Sequence, residues 1–456
     1  MTIAPEKAKD ESAVREQARK AAASLTYTTG FGNEHSTEAL TGALPVGRNM
    51  PQRPAYGLYT ELFSETAFTE LRANTRRSWL YRIRPSVVSP PFERIQHPTL
   101  LAPPFTTPVE PNLLYWDPRP APAVGTDFLS GLWTLGGNGN PSQRSGMAIH
   151  LYTADTSMTD RVFGNADGEL LIVPELGGLL IHTELGILAV EPGELALIPR
   201  AIKFRVEILG AADGKDEPRF VRGYVFENFG ASFVLPELGY IGQSGMANPR
   251  DFRSPVAAYD EREQAVEVIH KVAGNLWSAT YDHSPLDVVA WHGTSAAYVY
   301  NLRHFQLMGS VNFDHPDPSR YTALSSLTAT PGLNNIDFGV AVPEWFVQED
   351  TMRPQYFHRN VSTEFAGAIE EPEFAGGFLQ GISALTNMLT PHGPAADIWQ
   401  FATNDDLQSP MKRDGLLFTV ETQWPIVLTD QAAHAVGSTD DETLNGKSTI
   451  QSNFPG

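Results

Sequence analysis

Short apolar runs cut by glycine, proline and acidic turn residues make up most of this chain. The clearest block is 168–209, GELLIVPELGGLLIHTELGILAVEPGELALIPRAIKFRVEIL. Five strand-like runs stand out in it, at 170–173, 178–183, 187–190, 194–198 and 203–208. Pro-Glu, Leu-Gly and Glu-Pro-Gly turns separate them. Such closely spaced strands predict consecutive antiparallel pairing in a jelly roll. A second β-rich region runs from about 276 to 433, with strands expected at 287–291, 298–302, 338–342 and 416–421. Between them, 251–274 is more polar and reads as the passage from one unit to the next. The pattern therefore predicts a mostly β protein of two jelly-roll β-sandwich domains, 25–275 and 276–435. Polar ends flank them: 1–24, a frayed tail or a polar helix, with disorder the simpler reading, and 436–456, rich in Gly, Ser and Thr.

Composition narrows the chemistry. The 456 residues include no cysteine, so disulfides, thiolate metal sites, iron–sulfur clusters and cysteine nucleophiles are excluded together. Any metal must be held by His, Asp, Glu or backbone. The net charge of -20 argues against nucleic acid and anionic membrane as partners, since both need basic patches. Residues 1–24 lack the apolar core of a signal peptide, and no apolar stretch approaches the length of a membrane span. A cytoplasmic protein is the simplest expectation. Pro192-Gly193-Glu194 and Ile198-Pro199-Arg200 look like the second half of a cupin motif. Where cupins usually place a metal-binding histidine, this chain has Phe204 and Arg205, so no metal is expected in the first domain. His182 reads as a structural histidine.

Of the 12 histidines, three groups carry interest: His358 with Glu364 six residues on, His392 in Pro-His-Gly-Pro, and His292 in Trp-His-Gly. An even spacing on one strand puts His358 and Glu364 on the same face; a turn between them would serve as well. With a second histidine from a neighbouring strand they would form a 2-His-1-carboxylate set, which binds Fe(II) on one face and leaves positions open for two reactants. Spacing alone does not select this arrangement.

Several longer runs do more. Tyr27-Thr28-Thr29-Gly30-Phe31-Gly32-Asn33-Glu34-His35-Ser36, Arg77-Ser78-Trp79-Leu80-Tyr81-Arg82, Leu132-Trp133-Thr134-Leu135-Gly136-Gly137-Asn138-Gly139, Tyr281-Asp282-His283-Ser284-Pro285, Phe313-Asp314-His315-Pro316-Asp317-Pro318-Ser319 and His358-Arg359-Asn360 follow one another in order. Together they resemble homogentisate 1,2-dioxygenases over roughly residues 25–425. The resemblance implies two cupin-like domains with iron in the C-terminal one, held by His358, Glu364 and His392, and His292 as the acid–base residue. It implies Fe(II) as cofactor and a small aromatic hydroquinone acid and O2 as partners. The ring of that acid, homogentisate, would open to maleylacetoacetate with no other reductant. It also implies a homo-oligomer, a trimer or a hexamer built from trimers.

Departures from the family cluster near this site. A histidine six residues before the last ligand becomes Thr386, a pocket tyrosine after the Glu ligand is missing, and His-Gly-Pro-Asp becomes His-Gly-Pro-Ala at 392–395. The acidic stretch Glu370-Glu371-Pro372-Glu373 stands where that tyrosine would be; it would repel a carboxylate if it faced the site, and is otherwise solvated surface. Thr386, Asn387, Tyr356 and His392 are the residues expected to face substrate. Two readings of the substrate stay open: homogentisate itself, or a gentisate-like or otherwise substituted hydroquinone. A non-oxidative metalloenzyme and an inactive binding protein on the same frame are the alternatives of other classes.

Overall fold

The computed structural model describes residues 4–210, 218–237, 245–307, 314–315, 317–353, 356–371, 379–407 and 411–437. The chain is mostly β, and its strands form two cupin-like units. In the 168–209 block every expected strand is present, at Glu169–Leu176, Leu179–Thr183, Gly186–Val190, Glu194–Ile198 and Lys203–Ile208. Their pairing is not consecutive throughout. Glu169–Leu176 pairs with Glu194–Ile198 and with Val221–Asn228 in a nine-stranded sheet. Leu179–Thr183 pairs with Gly186–Val190 and Lys203–Ile208 in a seven-stranded sheet. The chain thus crosses between two sheets, as a jelly roll requires, and the nearly unbroken burial of Glu169–Glu175 reflects a strand covered on both faces.

Three expectations need correction. Residues 251–274 are not a passage: Phe252–Pro255 extends the nine-stranded sheet and Val266–Val272 joins the seven-stranded one. The hairpin Val266–Val272/Asn275–Tyr281 straddles the expected boundary at 275, and Tyr298–Asn301 pairs with Glu194–Ile198. The first unit therefore extends to about residue 302. Residues Ala4–Ala23 form a helix rather than a disordered tail. Ala18 packs with Leu180 and Leu209, and the Arg15 guanidinium donates to the carbonyls of Asp155 and Pro218 at 2.8 and 3.0 Å. Of the expected C-terminal tail, 438–456 lie outside the described residues.

The second unit is built on a six-stranded sheet with the order Thr322–Leu327, Asn334–Ala341, Leu416–Thr422, Thr363–Glu370, Ser383–Thr386 and Leu113–Trp116. Its last strand comes from the N-terminal half of the chain. In Leu416–Thr422 burial alternates residue by residue, the mark of a strand with one face in the core. The inward face carries Phe338, Phe365, Phe418 and Val420. Phe418 meets Tyr224 and Phe226 of the first unit at ring-centroid distances of 4.8 and 5.4 Å, edge to face. Sheet packs on sheet through these rings, and the core is continuous across both units.

Candidate metal centre

The outward face of that sheet carries Glu364, second residue of Thr363–Glu370. His358 and His392 lie on two loop segments that pair with each other: each backbone N–H donates to the other's carbonyl at 2.9 Å. The residues between His358 and Glu364 form a bend, so the turn is the arrangement adopted, rather than one continuous strand. A donor atom from each of His358, Glu364 and His392 lies within 4.8 Å of the others. The two imidazoles are 4.0 Å apart between centroids, and His392 Nε2 is 3.6 Å from Glu364 Oε2.

Local chemistry sets the donors. His358 Nδ1 meets the Tyr356 carbonyl at 3.3 Å and His392 Nδ1 meets the Thr390 carbonyl at 3.0 Å. Each Nδ1 therefore carries the proton, and Nε2 keeps its lone pair for an ion. The loop is braced from behind: Phe357 stacks on Trp399 of the helix Ala396–Asn404 at 4.6 Å. Gly393 passes so close to Phe357 that a Cβ would sit 2.7 Å from its ring, and its φ is +154°. Glycine is required there, which accounts for the Pro-His-Gly-Pro sequence. Two imidazoles and one carboxylate fit Fe(II) or a similar first-row ion. The surroundings fit a cation too. Glu421 stands directly opposite Glu364 on the next strand; burial, then Glu364 and Asp337, push its carboxyl up to about 7.

The other expected site residues divide. Tyr356 is close: its ring lies between those of His358 at 5.7 Å and His315 at 5.5 Å. Thr386 is buried directly opposite Glu364, its hydroxyl reaching the Glu364 carbonyl at 3.4 Å. Asn387 is committed elsewhere: its Oδ1 accepts from Thr363 Oγ1 at 3.2 Å and from the Ile426 N–H at 3.0 Å, so it ties loops together. Glu370 pairs with Arg303 at the surface, and 372–378 lie outside the described residues.

His292 is not brought to the triad within the chain. It sits on Val288–Gly293 in a separate four-stranded sheet, 3.3 Å from the Tyr81 hydroxyl and 3.6 Å from Glu34. It lines a cavity with Arg72, Arg77 and Trp79, which contains none of the three donors. The histidine linked to the centre through the Tyr356 ring is His315, whose Nε2 meets the Met352 carbonyl. Its run at 313–319 carries part of the resemblance, and nothing in the local pattern marks a role for the histidine. Glu421 was missed as well; its signal is an acid in an otherwise apolar, alternating strand. In the first unit, Phe204 is packed against Phe163 and Phe128, and His182 lies 3.2 Å from Glu207 as a structural partner.

Two family models cover nearly the whole chain. The one described as homogentisate 1,2-dioxygenase N-terminal matches residues 26–302 and the one described as homogentisate 1,2-dioxygenase C-terminal matches 303–454. Their junction agrees with the extent of the first unit seen here. Among solved structures, protein Ylba from E. coli is similar at 10% identity over 69% of this chain and 93% of its own, with a TM-score of 0.28. A cupin 2 conserved barrel domain protein from Leptotrichia buccalis is similar at 9% identity over 64% and 85%, with a TM-score of 0.24. Vicilin from Corylus avellana (hazelnut) is similar at 12% over 69% and 86%, with a TM-score of 0.25. Likenesses this distant say nothing of the chemistry.

Proposed function

The chain belongs to the homogentisate 1,2-dioxygenase family, and from that premise we propose that it is a non-haem Fe(II) dioxygenase opening the ring of homogentisate or a closely related hydroquinone. The observation that carries this is the convergence of His358, Glu364 and His392, with both imidazoles held in the tautomer that offers Nε2. Bound there, Fe(II) would supply open positions for a ring hydroxyl and O2 and a path for electrons between them. The chain's residues do the rest. Glu364 offsets part of the ion's charge. Tyr356 forms a wall of the approach, and Thr386 lies beside Glu364 where substrate would rest. His315, one ring beyond Tyr356, is the group we assign to take the hydroxyl proton and return it. The ring bond between the hydroxyl-bearing carbon and its substituted neighbour breaks and both oxygen atoms enter the product. The substrate supplies the electrons, so no reductant is consumed. A cytoplasmic location and a trimer-based oligomer belong to the same reading.

The replacement of the family's pocket histidine by Thr386 favours a second reading, a paralogue for a gentisate-like or other substituted hydroquinone. One experiment separates the readings: O2 uptake by Fe(II)-loaded protein with homogentisate, gentisate, hydroquinone and methylhydroquinone. Stoichiometric uptake with at least one is expected, and the preferred substrate identifies the branch. Metal-loaded, folded protein that consumes no O2 with any of them overturns the proposal in favour of a non-oxidative or binding role.

A further inference from the structure

His392 is held by the residue two before it. Its Nδ1–H donates to the Thr390 carbonyl at 3.0 Å. The imidazole is rigid, so the direction of that carbonyl decides where Nε2 points. Thr390 is itself constrained on every side. Its N–H donates to the Asn387 carbonyl at 3.1 Å, closing a turn. Within that turn Leu389 takes a left-handed backbone, φ +68°, which a leucine seldom adopts; its N–H donates to the Asn360 carbonyl at 2.8 Å. Pro391 follows, and a residue before proline is confined to extended backbone. The remaining constraint comes from far away. The Thr390 hydroxyl, in a side chain that is almost wholly buried, donates to the carbonyl of Pro111 at 3.0 Å, 279 residues earlier in the chain. Pro111 is brought there by the edge strand Leu113–Trp116, in which Leu113 stands opposite Thr386. His358 shows the contrast: its Nδ1 lies 3.3 Å from the Tyr356 carbonyl, a longer contact.

We propose that Thr390 is a positioning residue for the metal ligand His392: its hydroxyl, tied to Pro111, holds in place the carbonyl that aims the imidazole, so the metal centre is set in part by a segment from the first half of the chain. The inference rests on the reading of His358, Glu364 and His392 as metal donors, and not on which substrate is opened. Without the hydroxyl, the Pro111 carbonyl loses its donor in a buried place and the turn loses its outer fastening. The carbonyl of Thr390 is then free to shift, and the ring of His392 to rotate with it. Partners that orient a metal-bound histidine typically contribute about tenfold to a hundredfold in metal affinity. A hydroxyl that only stabilised the fold would leave affinity alone. Thr183 supplies that comparison: it is equally buried, and its hydroxyl donates to the Gly186 carbonyl at 2.8 Å in the first unit, away from the donors.

The test titrates Co(II) into metal-free full-length protein and follows the visible absorption of the bound ion, with thermal unfolding of the metal-free forms measured alongside. The proteins are wild type, Thr390→Val, Thr390→Ser and Thr183→Val. Thr390→Val, close in shape but without the donor, should bind Co(II) about tenfold to a hundredfold more weakly and with shifted absorption bands. Thr390→Ser restores the hydroxyl and should bind within about twofold of wild type, with the wild-type spectrum. Thr183→Val should lower the unfolding temperature and leave Co(II) affinity unchanged. Thr390→Ala also removes the hydroxyl and carries the test if the Val variant fails to fold. Folded Thr390→Val with wild-type affinity and spectrum overturns the inference. So does a Ser variant as weak as Val, since the hydroxyl is then not the cause, or an equal loss in Thr183→Val, since the effect is then general destabilisation. Wild type that takes up no Co(II) overturns the metal centre and the inference together. Substrate and O2 play no part, so a failure of the dioxygenase reading in the uptake experiment leaves this result standing.

Discussion

Replacing Glu364 by Ala leaves two imidazoles and no anionic donor, and a three-donor site has none to spare. Glu364→Ala, His358→Ala and His392→Ala should each lose most bound iron by metal analysis, with a far-ultraviolet spectrum unchanged. Full iron in Glu364→Ala would refute the assignment. His315 and His292 offer a contrast between geometry and motif. His315→Gln should keep iron and lower kcat by about 10²–10⁴, whereas His292→Gln should change kcat less than twofold; the reverse result would restore His292. A third case concerns acid. Burial of His270 against Phe92, with Lys203 nearby, depresses its pKa to about 4. A folded pKa below the unfolded value of about 6.5 means stability fully present above pH 6.5 and lost as pH falls towards 4, on the order of 3 kcal/mol. Denaturant unfolding between pH 7 and 4 should show this loss, and His270→Leu should flatten it; an equally steep profile in the variant would reject the cause. The triad was legible because long runs surrounding it carry the resemblance, while spacing left strand and turn open. His292 was not, because a Trp-His-Gly run reads the same in any strand, and which sheet a strand joins is decided by distant partners.

The alternation in Leu416–Thr422 divides one strand between two tasks, with Phe418 and Val420 inward and Glu421 on the metal side. Phe418→Ala should cost about 3–5 kcal/mol of unfolding free energy, the range for a large ring removed from a packed core. Its folded fraction should still bind metal, because Phe418 touches none of the donors. A loss below about 1 kcal/mol in urea unfolding would mean that the rings of Tyr224 and Phe226 are not the junction between the sheets. Strands of this kind were visible in the sequence, with ends within a few residues, since period-two patterning and Gly/Pro breaks are local. The helix Ala4–Ala23 is one of two readings the sequence allows, beside a disordered tail, and nothing local selects it. It is polar on nearly every side, and its hold on the first unit comes from small Ala18 and from Arg15 donating to carbonyls. Neither contact leaves an amphipathic stripe to read.

At the scale of the molecule the two units exchange pieces. Leu113–Trp116, early in the chain, pairs with Ser383–Thr386 and closes the edge of the metal-bearing sheet. Val427–Leu428, late in the chain, pairs with Gly136 and Gly137 of the nine-stranded sheet. Trp116 Nε1 donates to the Ala432 carbonyl at 3.0 Å and Trp133 Nε1 to Gln431 Oε1 at 3.1 Å, so side chains fasten the same exchange. No pattern in the sequence announces this: a four-residue strand carries no label for its partner, and the expected division at 275 assumed that neighbours in sequence pack together. A chain cut after Leu302 tests the consequence. The fragment 303–456 would lack the strand covering Ser383–Thr386, exposing unpaired backbone beside Thr386 and the loop to His392. It would also expose the Phe338, Phe365 and Phe418 face to water. Expressed alone, it should be insoluble or lack near-ultraviolet circular dichroism, and should bind no iron. Co-expressed with 1–302 it should be recovered as a complex with iron bound. A soluble 303–456 fragment that takes up iron alone would show that the second unit holds its own fold and that the exchanged strands only fasten the two together.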